Sequence, residues 1–568
     1  MSSRVSRPVA GVLVSVAVVV GALGALAVGP AGAITPPPLV WSSDAAAAGG
    51  GSFTALSCPT TSWCMGGQID GSLLHYSGTG WSGKAAIFPG QVDGLSCPTI
   101  TFCVATDDDG HVSYYNGSHW SASASVNGGE RIIGLSCPRT TFCAGVDGNG
   151  RALTFSGTSW SAGVQVAPDG MESVSCVSPT FCVAGDWEAS AYTFNGTKWS
   201  TGHAITGAAH LVFVSCPTVT FCGAVTSDGY AENWNAGNWS APSHLGNPFN
   251  GLSCPSNALC VAPDTGGVRV QRDGTWQTQT TIDGPAVFTA ASCAVSSACL
   301  TVTSEGRYST GALPQGYWLA TQDGTVGGAG GSQGVGNLAT SAATGPVVGL
   351  GAAPDGAGYW AVTRDGTVGN FGSAQNHNDL PGLGVHVSNI VGMAPTVDGG
   401  GYWLVGNDGG EFAFGDAAYH GSLPGLGIHV SNIVGMVSTP DGGGYLMVGG
   451  DGGVFAFGDA AYHGSLPALG ITVNDIVGIL PTGGEAGYVL VGADGGAFVF
   501  GAGSGYYGSL PGQGVHVHDV VGLALTPNQQ GYWMAEASGP VHPFGNAQAL
   551  GTPAGLNGHL PVAALASP

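Results

Sequence analysis

The sequence predicts an all-β protein of two tandem β-propellers, a seven-bladed disulfide-stapled ring followed by a six-bladed ring. Three observations predict it. All 14 cysteines fall in seven pairs with five residues between partners, and successive pairs begin 38 to 40 residues apart. Once the cysteines end, Gly-Tyr pairs recur every 42 to 44 residues. Glycine supplies 102 of 568 residues and charged residues only 8%. That composition suits short strands and tight turns, and fixed periods of this length mark repeat architectures.

Arg4 and Arg7 precede an apolar run from Val9 to Val28, and Ala31-Gly32-Ala33 places small residues at a cleavage site, so residues 1–33 read as a secretory signal peptide. An uncleaved anchor is the alternative, because the run approaches bilayer-spanning length. No later segment is apolar enough to cross a membrane. Without the leader, nine basic residues face 34 acidic ones, a charge of −25. Such a surface repels nucleic acid and anionic lipid, so neither is an expected partner. Many of the acids sit in Asp-Gly turns such as Asp365-Gly366, where they serve hairpin chemistry.

The first array occupies residues 34–310. Its pairs are Cys58 and Cys64, Cys97 and Cys103, Cys137 and Cys143, Cys176 and Cys182, Cys216 and Cys222, Cys254 and Cys260, and Cys293 and Cys299. Behind an export signal, paired cysteines mean disulfides. Zinc is the competing reading, but no His recurs beside the pairs. Each unit runs as a strand ending in Ser-Cys, a turn, a strand opening on Cys, a third strand, and a strand beginning Trp-Ser. Four short strands at this period describe a propeller blade. Trp81, Trp120, Trp160, Trp199, Trp239 and Trp276 follow their first cysteine by 22 or 23 residues. They are expected to fill the space between blades, with a ring of sugar-stacking platforms as the rival reading. The seventh unit lacks its Trp-Ser strand, which stands at the other end as Val40-Trp41-Ser42. The N-terminal strand is therefore expected to complete the last blade and remove a free sheet edge.

The second array occupies residues 311–568. Each Gly-Tyr is followed by a turn and by a strand such as Glu411-Phe412-Ala413-Phe414-Gly415. An apolar strand precedes every Gly-Tyr but the first, and Pro561-Val562-Ala563-Ala564-Leu565 supplies the missing one. A ring closed by the C-terminus follows, joined to the first by a short link.

The segments LSCPTITFCVAT and LSCPRTTFCAGV resemble the Cys-rich repeats of secreted repeat proteins of high-GC bacteria. GYWLVGNDGGEFAFGDAAYHGS resembles a repeat of the same organisms, often attached to secreted hydrolases of polysaccharide or cell wall. The two resemblances cover nearly all of the mature chain. They imply a β-propeller and export; they imply no reaction, because in that setting the catalytic domain is a separate piece.

Chemistry-bearing motifs are sparse. There is no nucleophile elbow, no His-Glu-x-x-His and no phosphate-binding loop. Arg272-Asp273-Gly274-Thr275-Trp276 resembles part of the Asp-box of sialidase-type propellers, a structural turn, and the few arginines are scattered. No catalytic residue, resident metal or cofactor is assigned. The sites singled out are His386, His429 and His516, and, three residues further on in each unit, Asn389, Asn432, Asp475 and Asp519. Standing just before the innermost strand, the second set could form a polar ring at one channel mouth, suited to calcium or a hydroxylated ligand. The competing reading is a turn in which Asn or Asp bonds its own backbone. His420, His463 and Tyr507 read as packing and hydrogen-bonding residues. The expected role is a secreted or cell-surface binding or scaffold protein for glycan, cell-wall polymer or another extracellular protein. An extracellular glycoside hydrolase or lyase with its site in the first propeller is the alternative, and a structural spacer is a third reading.

Overall fold

A computed structural model describes residues 37–568, apart from 48, 206, 273, 283–285, 342–343, 440–441, 483–486, 502–504, 557–558 and 560. The expected signal peptide, 1–33, lies outside the described residues. The rest is all-β, relieved only by three-residue 3-10 turns. Among the described residues the strands make thirteen antiparallel sheets, the earlier ones of four or five strands and the later ones of three. No helix among these residues is long and apolar enough to cross a membrane.

In the first array the strand ending in Ser-Cys is innermost. Phe53–Thr60 lies beside Val92–Thr99, that beside Ile132–Arg139, and so on to Phe288–Val295, which returns to lie beside Phe53–Thr60. Every cysteine pair is bonded within its own hairpin, partners six positions apart. The serine before each first cysteine does something the motif alone does not announce. Its hydroxyl accepts the backbone N–H of the first cysteine in the next unit: Ser57 from Cys97 at 3.0 Å, Ser96 from Cys137, Ser136 from Cys176, Ser175 from Cys216, Ser215 from Cys254 at 2.9 Å, and Ser253 from Cys293 at 3.0 Å. Ser292 then accepts from Cys58 at 3.0 Å, which closes the belt. One dipeptide thus carries both a staple within a sheet and a bond between sheets.

The N-terminal strand behaves as expected. Val40–Trp41 pairs with the outer strand Arg307–Ala312, Val40 opposite Ala312 and Trp41 opposite Gly311. The indole lies so close to Gly311 that an added Cβ would sit 2.8 Å from ring atoms, so only glycine fits there. The tryptophans fill inter-sheet space: Trp81 packs against Phe53, Tyr76 and, in the last sheet, Tyr308, and Trp160 donates its indole N–H to Tyr114 of the preceding unit at 2.9 Å.

The Trp-Ser strands need correction. Only Trp81–Ala86 is a strand of some length, and Trp120, Trp160 and Trp199 make isolated bridges to Tyr115, Phe155 and Phe194. The reason is the serine that follows each tryptophan. The hydroxyls of Ser121, Ser161 and Ser200 accept the N–H groups of Tyr114, Thr154 and Thr193 at 3.1, 3.0 and 2.9 Å. A side chain has replaced the ladder's backbone acceptor, a local alternative to sheet pairing open to serine.

In the second array the innermost strands are Val347–Ala352, Ile390–Pro395, Ile433–Ser438, Ile476–Thr482, Val520–Leu525 and Val562–Ala566, each beside the next and the last beside the first. Val562–Ala566 pairs with Gly316–Thr321, the strand of the first Gly-Tyr. It even repeats the register shift near the start of its counterparts, between Val562 and Ala564 as between Val347 and Gly349. Here the inter-sheet latch is the tyrosine of each Gly-Tyr. Its ring is buried, and its hydroxyl donates to a carbonyl of the preceding unit: Tyr359 to Gly336 at 2.6 Å, then Tyr402 to Asn378, Tyr445 to Gly421, Tyr488 to Gly464 and Tyr532 to Gly508. Tyr317 reaches Gly551 of the last unit at 2.6 Å and completes the circuit.

Candidate functional site

Contacts between the arrays decide which faces are open. Thr61 donates to the Asn528 carbonyl and Ser297 to the Pro527 carbonyl, both at 3.3 Å, while the Gln530 amide donates to the Gly78 carbonyl. A cavity of ≈370 Å³ lies at this junction, lined by Val295 to Ser297 and by Leu350, Met393, Met436, Leu523 and Leu565. These residues belong to the ends of the innermost strands in both arrays. The starts of those strands therefore form the outward faces.

On the outward face of the first array, a buried polar residue stands at the start of each hairpin between second and third strands, and in five of the seven, at Asp107, Asp147, Asp186, Thr226 and Thr303, its side chain accepts N–H groups of the hairpin. Asp107 accepts the N–H groups of Asp109 at 3.1 Å and His111 at 2.7 Å. Asp147 does the same for Asn149 and Arg151, and Asp186 for Glu188 and Ser190. The residue following the capping position stands on the rim: Ile69, Asp108, Gly148, Trp187, Ser227, Thr265 and Ser304. Trp187 is the sole aromatic in that series, and it is 37% exposed. Its indole N–H donates to Glu172 Oε2 at 3.0 Å. The ring covers Gly170, where a Cβ would lie 2.5 Å from ring atoms, so glycine is what lets the platform lie flat.

Glu172 occupies the second place of its innermost strand, inside the register shift between Met171 and Ser173. Such a bulge redirects a side chain. Asp93 holds the same place two units earlier and is bridged by Arg131, whose Nε and Nη2 donate to its two oxygens at 2.5 and 2.9 Å. The Asp93 side chain is 2% exposed and that of Arg131 46%. Burial raises the Glu172 carboxyl above its ordinary value, opposed by the Trp187 N–H and the Arg131 charge. Burial likewise raises Asp93, outweighing Arg131, while the bond to Asp93 raises the guanidinium. An aromatic platform, a partly buried carboxyl and a fixed guanidinium thus share one sector of the mouth. Sequence reasoning missed Trp187, Glu172, Asp93 and Arg131 alike. The available signal was a departure from the repeat: Asp186-Trp187-Glu188 stands where the other units carry no aromatic residue.

The residues singled out from the sequence lie on the outward face of the second array. His386, His429 and His516 are exposed, Asn432 and Asp475 are exposed, and Asn389 and Asp519 are half-buried. The carbonyls of Asn389, Asn432 and Asp475 accept from Asn407, Gly450 and Ala493 at 2.8 Å, and that of Asp519 from Ala537 at 2.7 Å. Asp519 Oδ2 also accepts the Ser538 N–H at 3.1 Å. All four stand at one equivalent point per unit, at the entry to the innermost strand. Among the described residues no three His, Cys, Asp or Glu side chains gather in a geometry that would hold a metal ion. His377, His420 and Tyr507 hydrogen-bond the carbonyls of Gly399, Gly442 and Gln529, in agreement with a packing role for this position.

No family model matches the sequence, and no curated protein matches it. Solved structures similar to it include YCF48 bound to D1 peptide, at 14% identity and a TM-score of 0.41, and the WD40 repeats of RRP9, at 10% identity and a TM-score of 0.43. Each likeness covers 49% of this chain and 99% of the other.

Proposed function

We propose that this is a secreted or cell-envelope binding and scaffold protein, without catalysis, whose ligand is a glycan or cell-wall polymer held at the outward mouth of the first array. In this reading residues 34–310 form a seven-bladed propeller and 311–568 a six-bladed one, and residues 1–33 direct export. The observation that carries the ligand class is Trp187. An exposed indole whose edge is fixed by a carboxylate stacks on the C–H face of a sugar ring, while Glu172 and Arg131 beside it serve hydroxyl groups. The polar entry positions Asn389, Asn432, Asp475 and Asp519, with His386, His429 and His516, offer a second hydroxyl-binding mouth on the opposite array.

The test is a titration of the full chain with soluble cell-wall oligosaccharides, read by tryptophan fluorescence and calorimetry. Trp187→Ala is expected to weaken binding by about ten-fold, within the range for loss of one stacking contact. Unchanged binding in that variant would sink the assignment. One observation favours a second reading, an extracellular hydrolase or lyase: two carboxyls share one mouth and burial raises both, the direction in which enzymes tune a general acid. Turnover of any glycan, abolished in Glu172→Gln, would replace the binding reading with this one.

A further inference from the structure

The outer surface of the second array carries a feature that neither mouth accounts for. After the outermost strand, each of three consecutive units runs through a segment of the form Tyr-x-Gly-Ser-Leu-Pro, which ends in a 3-10 turn: Pro424–Leu426, Pro467–Leu469 and Pro511–Gln513. The tyrosines that open these segments are the reverse of the buried Gly-Tyr tyrosines. Tyr419, Tyr462 and Tyr506 are 61%, 54% and 50% exposed. In two of the three units a leucine in the turn, Leu426 or Leu469, is 66% or 65% exposed, with Ile428 or Ile471 also in solvent. Large side chains left in water at one place in successive units make a recurring apolar surface, unlike single scattered ones.

These rings are also held still. The hydroxyl of Tyr419 lies 3.2 Å from Ser422 Oγ, that of Tyr462 donates to Ser465 at 3.1 Å and that of Tyr506 to Ser509 at 3.4 Å. Each serine in turn caps the 3-10 turn, accepting the N–H of Gly425, Ala468 or Gly512. A tyrosine tethered at its tip has less freedom to lose on binding. The three segments, Tyr419 to Val430, Tyr462 to Val473 and Tyr506 to Val517, contain no Asp, Glu, Lys or Arg. The corresponding positions in the remaining units are Gly334, Asn376 and Ala549, so the platforms form an arc and stop.

We propose that this arc is a tracking surface for a neutral polysaccharide strand, with one tyrosine platform per unit meeting successive stretches of the same chain. The ligand class rests on the reading of the protein as a glycan binder, but the site is separate from the Trp187 mouth. Three features select a polysaccharide over other occupants. A ligand that repeats suits a surface that repeats. An uncharged aromatic surface suits sugar faces and offers no ion pair to a charged partner. The chain's net charge of −23 opposes anionic polymers. Binding at three linked platforms multiplies weak contacts, because the second and third are effectively intramolecular.

The experiment is co-sedimentation of the full chain with insoluble cellulose, chitin and starch granules, run for the wild type, the three single Tyr→Ser variants, the triple Tyr419→Ser/Tyr462→Ser/Tyr506→Ser variant and Trp187→Ala. The wild type is expected on at least one polymer. Each single variant should lower retention by roughly two- to three-fold and the triple by at least about ten-fold, the signature of avidity. The loss should appear on the insoluble polymer and not in the titration with soluble oligosaccharide, and circular dichroism of the triple variant should match the wild type. Retention of the triple variant equal to wild type overturns the arc; if Trp187→Ala alone abolishes retention, the glycan reading survives without it. No retention on any polymer also overturns the arc, while the soluble titration reports separately on the mouth. A wild-type dimer in sedimentation velocity that the triple variant dissolves would make the arc an interface between copies, and would overturn the proposal as well.

Discussion

The two arrays meet the same physical problem with different parts. A sheet of short, glycine-rich strands buries little, and a circle of such sheets must also be fastened where chain end meets chain beginning. The first array staples each sheet internally with a disulfide and ties sheet to sheet through a serine hydroxyl on a backbone N–H. The second has no cysteine and ties sheet to sheet through a buried tyrosine, hydroxyl to carbonyl. The closing strand differs too. In the first array it is the outermost, Val40–Trp41, and in the second the innermost, Val562–Ala566. The lesson is that closure needs no particular chemistry, only a bond of the same kind at every junction, including the one the chain does not cross.

The contrast can be broken most severely at the second array's closure. Removing residues 561–568 takes away an innermost strand, uncovers Trp318 and Val347 and leaves Gly316–Thr321 without one of its two ladders. The second array is expected to lose its cooperative thermal transition while the first keeps its own, measured by calorimetry. Reduction comes next. A disulfide closing so short a loop contributes about 2 kcal/mol, so reducing seven should lower the first transition by roughly 20–30 °C and leave the second unmoved. Equal shifts in both would deny that the arrays are stabilised separately.

A subtler asymmetry lies at Glu411. It stands where the other units carry Val326, Val368, Val454, Ala497 and Val541, it is 8% exposed, and neither carboxylate oxygen has a hydrogen-bond partner among the described residues. Burial pushes its pKa from 4.5 up to about 7, only partly opposed by the nearby Tyr445 hydroxyl. The folded state therefore holds this proton more tightly than the unfolded chain. The contribution is to lower the second array's stability as pH rises from about 4.5 to about 7, with no further change above. Glu411→Val should raise the second transition at pH 8 and leave it nearly unchanged at pH 4.5. A gain of the same size at both values would mean that the carboxylate's charge is not the cause.

The smallest effects should come from single latches. Tyr317→Phe and Ser292→Ala each remove one closing hydrogen bond and leave its partner unsatisfied. Each is expected to cost about 1–2 kcal/mol, the first in the second transition only and the second in the first only.

Much of this build was legible in the sequence because repeats expose their own gaps. A missing Trp-Ser strand at one end and a spare Val40-Trp41-Ser42 at the other have one economical solution, and the same holds for Val562 to Leu565. The latches were not legible. Ser-Cys reads as part of a strand, and nothing in the dipeptide says that the serine serves the next unit and not its own. Gly-Tyr marks the repeat and is silent about where the tyrosine hydroxyl goes. The Trp-Ser segments read as strands because their alternation is right, yet the serine hydroxyl competes for the backbone N–H it should leave to the ladder. Sites follow a different logic. Periodicity directs attention to positions that recur, such as Asn389 and Asn432, whereas Trp187 and Glu411 matter because they do not.

The belt of Ser57, Ser96, Ser136, Ser175, Ser215, Ser253 and Ser292 has a consequence for how the chain could be rewired. The bond from Cys58 to Ser292 is the same as the other six, so the belt is blind to which unit the ribosome makes first. A circular permutant of the first array, opened at any of its inter-unit turns and joined where the natural ends meet, would keep all of its latches.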